Sequence, residues 1–326
     1  MYQNKKNSIE AFIYSMLNAI ITGAVLALLA IYIFNNYTYF FKDYYIDNTA
    51  ITEEHEEDPT LASRISDSII YSSDPNQELK AIPDDYLPKK SSRNISAKAY
   101  MVINITNDKV ILEKNINTLY PIASITKLIT AVMSRRLINQ DSYITINSSI
   151  LNTYGNEAKL RQGEKLKAKE LLFPLLMISS NDSAEALAKS YSKGRQNFLR
   201  EMNSFVNVIG AYRTYFADPT GLSAQNLSTI DDLATITKWI VNNDSEIFDI
   251  TLEKTKTIKA HTWTSPTHFL NLIAYAGGKN GYTTEANRTS VALFKLGKNK
   301  ELFAVILLGS SRRDSDTLDL LDEAVR

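Results

Sequence analysis

The stretch "YPIASITKLIT" sets a serine and a lysine three residues apart, Ser124 and Lys127, where an apolar helical pattern begins. Residues three apart on a helix project from one side of it, so the amine can reach the hydroxyl. Such an amine can take the hydroxyl proton and leave an oxygen nucleophile, provided that burial or a nearby cation keeps it neutral. The helix N-terminus adds a positive potential for a developing anion. Taken alone, the spacing also describes a serine cap beside a solvated lysine. Two further segments carry groups that suit the chemistry. Ser179-Ser180-Asn181 breaks two helical patterns with a hydroxyl and an amide that can face a cleft, although "SSND" is also an ordinary helix cap. "GGKNGYT", Gly277 to Thr283, sets Lys279 among glycines that let a ligand backbone approach a strand closely. Lys279 is expected to anchor a carboxylate and to supply the cation that keeps Lys127 neutral. By itself, a glycine-rich hairpin accounts for that segment equally well.

The elements that must hold these groups are visible as periodicities. Ile125, Leu128, Ile129, Val132 and Met133 form one stripe of a helix expected over 124–137, with Lys127 outside it. "AKAYMVINI" and "KVILEKN" predict two strands around the turn "TNDK". Helices are expected in "KELLFPLLMI", "DSAEALAKSY", "RQNFLREMNSFVNVIG" and "DDLATITKWIVNN". Three consecutive strands follow, "AYAGGKNGYT", "TSVALFKLG" and "ELFAVILLGS", and "DTLDLLDEAV" closes the chain as a helix. Two strands, a run of helices, then three strands and a helix predict an α+β domain over 96–326 with a largely antiparallel sheet.

Ahead of that domain the texture differs. Residues 1–10 read as a short cytoplasmic tail, and Ala11 to Phe34 contain no charged side chain. A run of that length suffices for a single transmembrane helix. Lys5 and Lys6 precede it, which places the N-terminus in the cytoplasm and the domain outside. The run is longer than the apolar core of a signal peptide, so an uncleaved anchor is expected. Residues 35–95 carry six basic and twelve acidic side chains and read as an acidic linker.

Several function classes are excluded by composition. The 326 residues have no net charge and no basic stripe, so no nucleic-acid partner is expected. The absence of cysteine removes thiol nucleophiles and cysteine-ligated metal sites, and neither metal nor cofactor is expected. The three histidines are His55, in "EEHEED", and His261 and His268, which flank "TWTSPT". None lies near a nucleophile-like turn, so a histidine-based triad is disfavoured.

In their order along the chain, the three segments match the S-x-x-K, S-x-N and K-T-G motifs of penicillin-binding proteins and β-lactamases. From Ser96 to Arg326 the chain resembles the low-molecular-mass D-alanyl-D-alanine carboxypeptidases, serine peptidases of the penicillin-binding protein superfamily. The likeness extends through "LRQGEKLKAKELLFPLLMISSNDSAEALA", "DPTGLSAQNLST" and "GGKNGYTTEANRTSVALF". It implies a β-lactamase/transpeptidase-like fold, an antiparallel sheet flanked by helices with a helical subdomain. It implies that Ser124 attacks the penultimate D-Ala carbonyl of a peptidoglycan stem peptide and that Lys127 takes the proton. Ser179 and Asn181 would line the opposite wall, and Lys279, Asn280, Gly281, Tyr282 and Thr283 would bind substrate along the edge strand. The N–H groups of Ser124 and Tyr282 would form the oxyanion hole, and β-lactams would inhibit covalently. One position departs from the family: Asn280 stands where threonine is usual, which puts carboxylate binding in question. Arg312 or Arg313 is a candidate for assisting there. Alternatives are a non-catalytic peptidoglycan-binding relative, a D,D-endopeptidase, and a β-lactamase with Glu157 as its deacylating carboxylate.

Overall fold

The structure, a computed structural model, describes residues 88–155 and 157–325. The tail, the apolar span and nearly all of the acidic linker expected from sequence lie outside the described residues. Among the described residues, no helix is long and apolar enough to cross a membrane.

Eleven strands and eight helices follow one another along the described residues. In chain order they are β1 (Ala99–Asn104), β2 (Lys109–Lys114), β3 (Tyr120–Pro121), α1 (Thr126–Leu137), β4 (Tyr143–Thr145), α2 (Ser148–Leu151), β5 (Lys165–Lys167) and α3 (Ala168–Met177). Then come α4 (Asn181–Ser190), α5 (Arg195–Val208), β6 (Leu227–Ser228), α6 (Ile230–Asn243), α7 (Glu246–Thr251), β7 (Thr255–Ile258) and β8 (His261–Thr264). The chain ends with β9 (Tyr275–Thr283), β10 (Asn287–Leu296), β11 (Glu301–Ser310) and α8 (Arg313–Val325). This is the α+β arrangement expected from sequence.

One five-stranded sheet organises the described residues, in the order β2-β1-β11-β10-β9. Its paired strands are antiparallel. The N-terminal hairpin joins the C-terminal meander through β1 and β11, with Met101 opposite Ile306 and Val102 opposite Val305. Alternate residues feed different cores, as the period of a strand requires. Ala99, Met101, Ile103, Val291, Leu293, Ala304 and Ile306 pack towards the helical layer. Tyr100, Val102, Ala292, Phe294, Val305 and Leu307 pack with Leu318, Leu320 and Leu321 of α8. Because both faces are covered, every residue of β1 is buried. The helical layer is centred on α1, which is buried without a break from Thr126 to Ser134. The outer strand β9 leaves one edge of the sheet facing this layer, and the groove along that edge holds the candidate residues.

Three details differ from expectation. The helix expected from Ser124 opens with a 3-10 turn, Ala123–Ile125, before α1 begins at Thr126. The short pairs β3–β6, β4–β5 and β7–β8 have two to four residues per strand, too few to show a period in sequence. Residues 89–95, assigned by sequence to the linker, lie against the domain. Lys89 bridges to Leu112 of β2, Ser91 N–H donates to the Tyr100 hydroxyl at 2.8 Å, and Arg93 pairs with Asp319 at 2.9 Å. The packed unit therefore begins ahead of Ser96.

Candidate active site

Ser124 sits in the middle of the 3-10 turn, where Ala123 is held at φ 47°. A non-glycine residue in that region costs free energy unless its surroundings impose it. Two glycines do so by clearing space. A Cβ at Gly221, whose φ is +88°, would stand 2.0 Å from the Ala123 carbonyl oxygen. A Cβ at Gly281 would stand 2.6 Å from Thr289 Oγ1 and 2.8 Å from the Ser124 nitrogen. Without side chains at these positions, the 218–223 loop and β9 press on the turn from two sides. Thr289 Oγ1 in turn donates to the Ile122 carbonyl at 3.0 Å, fixing the residue before the turn.

Lys127, one turn on, is completely buried. Its Nζ lies 2.9 Å from Ser124 Oγ, 2.7 Å from Asn181 Oδ1 and 2.6 Å from the Thr220 carbonyl oxygen. Asn181, the first residue of α4, also donates through Nδ2 to the Tyr154 carbonyl at 3.0 Å, so both ends of its amide are fixed. Thr220 is presented by a loop folded round one carboxylate. Asp218 accepts from the N–H groups of Thr220, Gly221 and Ser223, each at 2.7 Å, and from the Thr220 hydroxyl at 2.6 Å. Burial lowers the Lys127 pKa from 10.5 to about 7, against the opposing pull of Asp218, Glu157 and Asp182. The main cause is thus burial rather than the cation expected from Lys279. Asp182, also fully buried, has its carboxyl pKa raised by burial against hydrogen bonds from Ser180 and backbone N–H groups.

Across the groove, Ser179 takes φ 63° at the break between α3 and α4, and Lys279 of β9 donates to its Oγ at 3.0 Å. Lys279 Nζ also donates to the Asn280 carbonyl at 2.8 Å. The Asn280 side chain lies beside Ser290 of β10, its register partner, whose hydroxyl donates to Oδ1 at 3.0 Å. Tyr282 is 42% exposed at the rim. Thr283 Oγ1 instead accepts from the Ala286 N–H at 3.1 Å and closes the β9–β10 turn.

The arginines proposed from sequence are committed elsewhere. Arg312 donates to the Asn94 carbonyl at 2.7 Å, and Arg313 to Asp314 at 2.6 Å. Arg288 of β10, opposite Tyr282 in register, holds its guanidinium 5.6 Å from that ring's centroid and donates to the Ser311 carbonyl at 3.2 Å. Sequence reasoning missed it, together with Thr220 and Asp218. The signal for Arg288 was its place on the strand after the lysine motif; that for the others was the turn "DPTG". Glu157 is solvent-exposed, with its carboxylate folded back on Gly155. His261 is buried against Glu164 at 2.8 Å and stacked on Trp263, in a structural role.

The arrangement can do acyl transfer. It offers a hydroxyl nucleophile, an amine able to be neutral near pH 7, a second hydroxyl bonded to a lysine, and a strand edge close behind the nucleophile. The profile of the D-alanyl-D-alanine carboxypeptidase family matches residues 87–311. A D-alanyl-D-alanine endopeptidase of Escherichia coli (strain K12) is 30% identical over 208 residues, 62% of this chain and 66% of that protein. The D-alanyl-D-alanine carboxypeptidase DacF of Bacillus subtilis (strain 168) is 28% identical over 244 residues, 70% of this chain and 62% of that one. The match thus spans less than two thirds of the length of these relatives. Penicillin-Binding Protein D2 from Listeria monocytogenes, solved in a cefotaxime-bound form, shares the fold with a TM-score of 0.66 at 22% identity. That superposition covers 73% of this chain and 100% of the other.

Proposed function

Because this chain belongs to the D-alanyl-D-alanine carboxypeptidase family, we propose that it is a penicillin-sensitive serine D,D-carboxypeptidase that trims peptidoglycan stem peptides. The observation that carries this reading is the buried Lys127 amine 2.9 Å from Ser124 Oγ. Ser124 Oγ attacks the carbonyl carbon of the penultimate D-Ala while its proton passes to neutral Lys127. The tetrahedral oxyanion lies between the N–H groups of Ser124 and Tyr282, where each such donor is worth roughly 3–4 kcal/mol. Its collapse breaks the peptide bond. The leaving D-Ala nitrogen takes a proton through the Ser179 hydroxyl, held by Lys279. Water, deprotonated by the same groups, then attacks the acyl-enzyme, releases the shortened peptide and returns the proton to Ser124. Lys279, Asn280 and Arg288 surround the terminal carboxylate. The apolar run Ala11–Phe34 supports a membrane-held enzyme working outside the cytoplasm, where its polymer substrate lies.

A second reading is D,D-endopeptidase activity on cross-links, favoured by the name of the Escherichia coli relative. It uses the same acyl transfer with a different leaving amine. Intact-mass measurement of the full-length chain with benzylpenicillin, beside Ser124→Ala, tests both. A lasting adduct in the unmodified chain and none in the variant is expected. No adduct and no drug hydrolysis would leave a binding protein, and rapid drug hydrolysis would mean a β-lactamase.

A further inference from the structure

Asn280 stands at a position where a donor to the substrate carboxylate is needed, and an amide is an ambiguous donor. Its NH₂ edge attracts a carboxylate and its carbonyl edge repels one, so the group works only if something fixes its sense. A threonine hydroxyl would need no such help, because it rotates to suit its partner. Opposite Asn280 in the β9–β10 register stands Ser290, fully buried, with its hydroxyl donating to Asn280 Oδ1 at 3.0 Å. The carbonyl edge is thereby engaged on the sheet, which leaves the NH₂ edge to meet a ligand at the outer strand. Lys279 Nζ holds the Asn280 main-chain carbonyl at 2.8 Å, restraining the same residue from its other side. Two residues along β10 from Ser290, and so on the same face, Arg288 brings its guanidinium over Tyr282. Positive charge and an N–H donor of fixed sense therefore lie on the same face of the β9–β10 pair.

We propose that Ser290 is a positioning residue: it fixes the Asn280 amide in the sense that makes Asn280 a hydrogen-bond donor to the terminal carboxylate of the substrate. The inference rests on the carboxypeptidase reading above, and its effect is on carboxylate recognition rather than on the acyl transfer. Asn280 and Ser290 form a coupled pair in place of one threonine, so the two positions should depend on each other. Once Asn280 is replaced by threonine, the Ser290 hydroxyl loses its task.

The test compares steady-state kinetics of the full-length chain on a D-Ala-D-Ala-terminated peptide and on its C-terminal carboxamide, for the unmodified chain, Ser290→Ala, Asn280→Thr and the double variant. A charge-assisted hydrogen bond is at stake, so Ser290→Ala should raise KM for the carboxylate peptide by about tenfold. Its kcat should change by less than about threefold, and its preference for carboxylate over carboxamide should fall by about the factor lost in KM. Added to Asn280→Thr, the Ser290→Ala change should cost less than about twofold. An equal loss in both backgrounds, an equal loss on both peptides, or no loss in either would overturn the pairing. A chain that takes up benzylpenicillin and cleaves the peptide, yet shows one of those patterns, fails this inference alone. A chain that does neither fails the carboxypeptidase reading and the inference with it.

Discussion

At the scale of single residues, the site turns on a lysine without water. S-x-x-K spacing was visible in the sequence, but the state of the amine was not, because Lys127 lies outside its own helix's apolar stripe. Its burial comes from elements distant in the chain: the 218–223 loop brings the Thr220 carbonyl and α4 brings Asn181. Only the fold shows that burial is the largest influence on its charge. A folded-state pKa of about 7 in place of 10.5 has a definite sign. Below that value the amine is protonated and cannot accept the Ser124 proton; above it, it can. The acylation rate of Ser124 by benzylpenicillin, followed by stopped-flow mass or fluorescence measurement, should rise about tenfold per pH unit on the acid side and level off above pH 7 or so. A rate independent of pH between 5 and 8 would remove Lys127 from the role of base. The same shift bears on stability. Between about 7 and 10.5 the unfolded chain holds a proton that the folded one does not, so this group makes the fold more stable as pH rises through that window.

At the scale of elements, the long members were legible and the short ones were not. β1, β2, β9, β10 and β11 and the five helices from α3 to α6 and α8 carry either a strand-length run bounded by turn residues or a helical stripe. The 3-10 turn carrying Ser124 has no pattern of its own, because it is made by what presses on it. "DPTG" could be read as a turn, yet its contact with residue 123 joins segments almost a hundred positions apart. Asn280 was visible as an exception, but its sense was not, because it depends on a cross-strand partner. Gly221→Ala tests the dependence of the nucleophile turn on the 218–223 loop. The new Cβ would stand 2.0 Å from the Ala123 carbonyl, and φ +88° is itself unfavourable for alanine. The strained backbone alone costs roughly 1–3 kcal/mol. Moving Ser124 by about 1 Å costs on the order of a hundredfold in rate. A penicillin-acylation rate at least that much lower is expected, with a folded circular-dichroism spectrum retained. An alanine variant acylated at the unmodified rate would show that the loop does not set the nucleophile.

At the scale of the whole molecule, the sheet is closed by partners from opposite ends of the domain, and this raises the question of where the folding unit starts. β1 depends on β11, and α8 covers their outer face. Residues ahead of β1 add to the same closure. Ser92 N–H and its hydroxyl donate to Glu323 at 2.9 and 3.0 Å, Ser91 adds a further bond to the same carboxylate, and Arg93 reaches both Asp319 and Asp322. Asp316, buried in α8, takes the Ala97 N–H at 3.0 Å and the Ser310 hydroxyl at 2.7 Å, so the N-terminal strap, β11 and α8 meet in one polar cluster. The hydroxyl and basic groups of this strap gave no periodic signal, which is why it was placed with the acidic linker that precedes it. Most of its ion pairs are partly exposed and screened, so each is worth only a fraction of a kcal/mol. Together with the hydrogen bonds to Glu323, the strap should contribute about 2 kcal/mol. For a unit of this size that corresponds to roughly 4–8 °C in melting temperature. A fragment beginning at residue 88 should therefore melt that much above one beginning at Ser96, and Glu323→Ala should close most of the gap, since it removes the strap's anchor in the longer fragment alone. Penicillin acylation of Ser124 should be equal in both fragments at about 20 °C, because the strap lies by β1 and β2 and the groove along β9, at opposite ends of the sheet. Equal melting temperatures would return residues 88–95 to the linker and leave Ser96 as the true start of the domain.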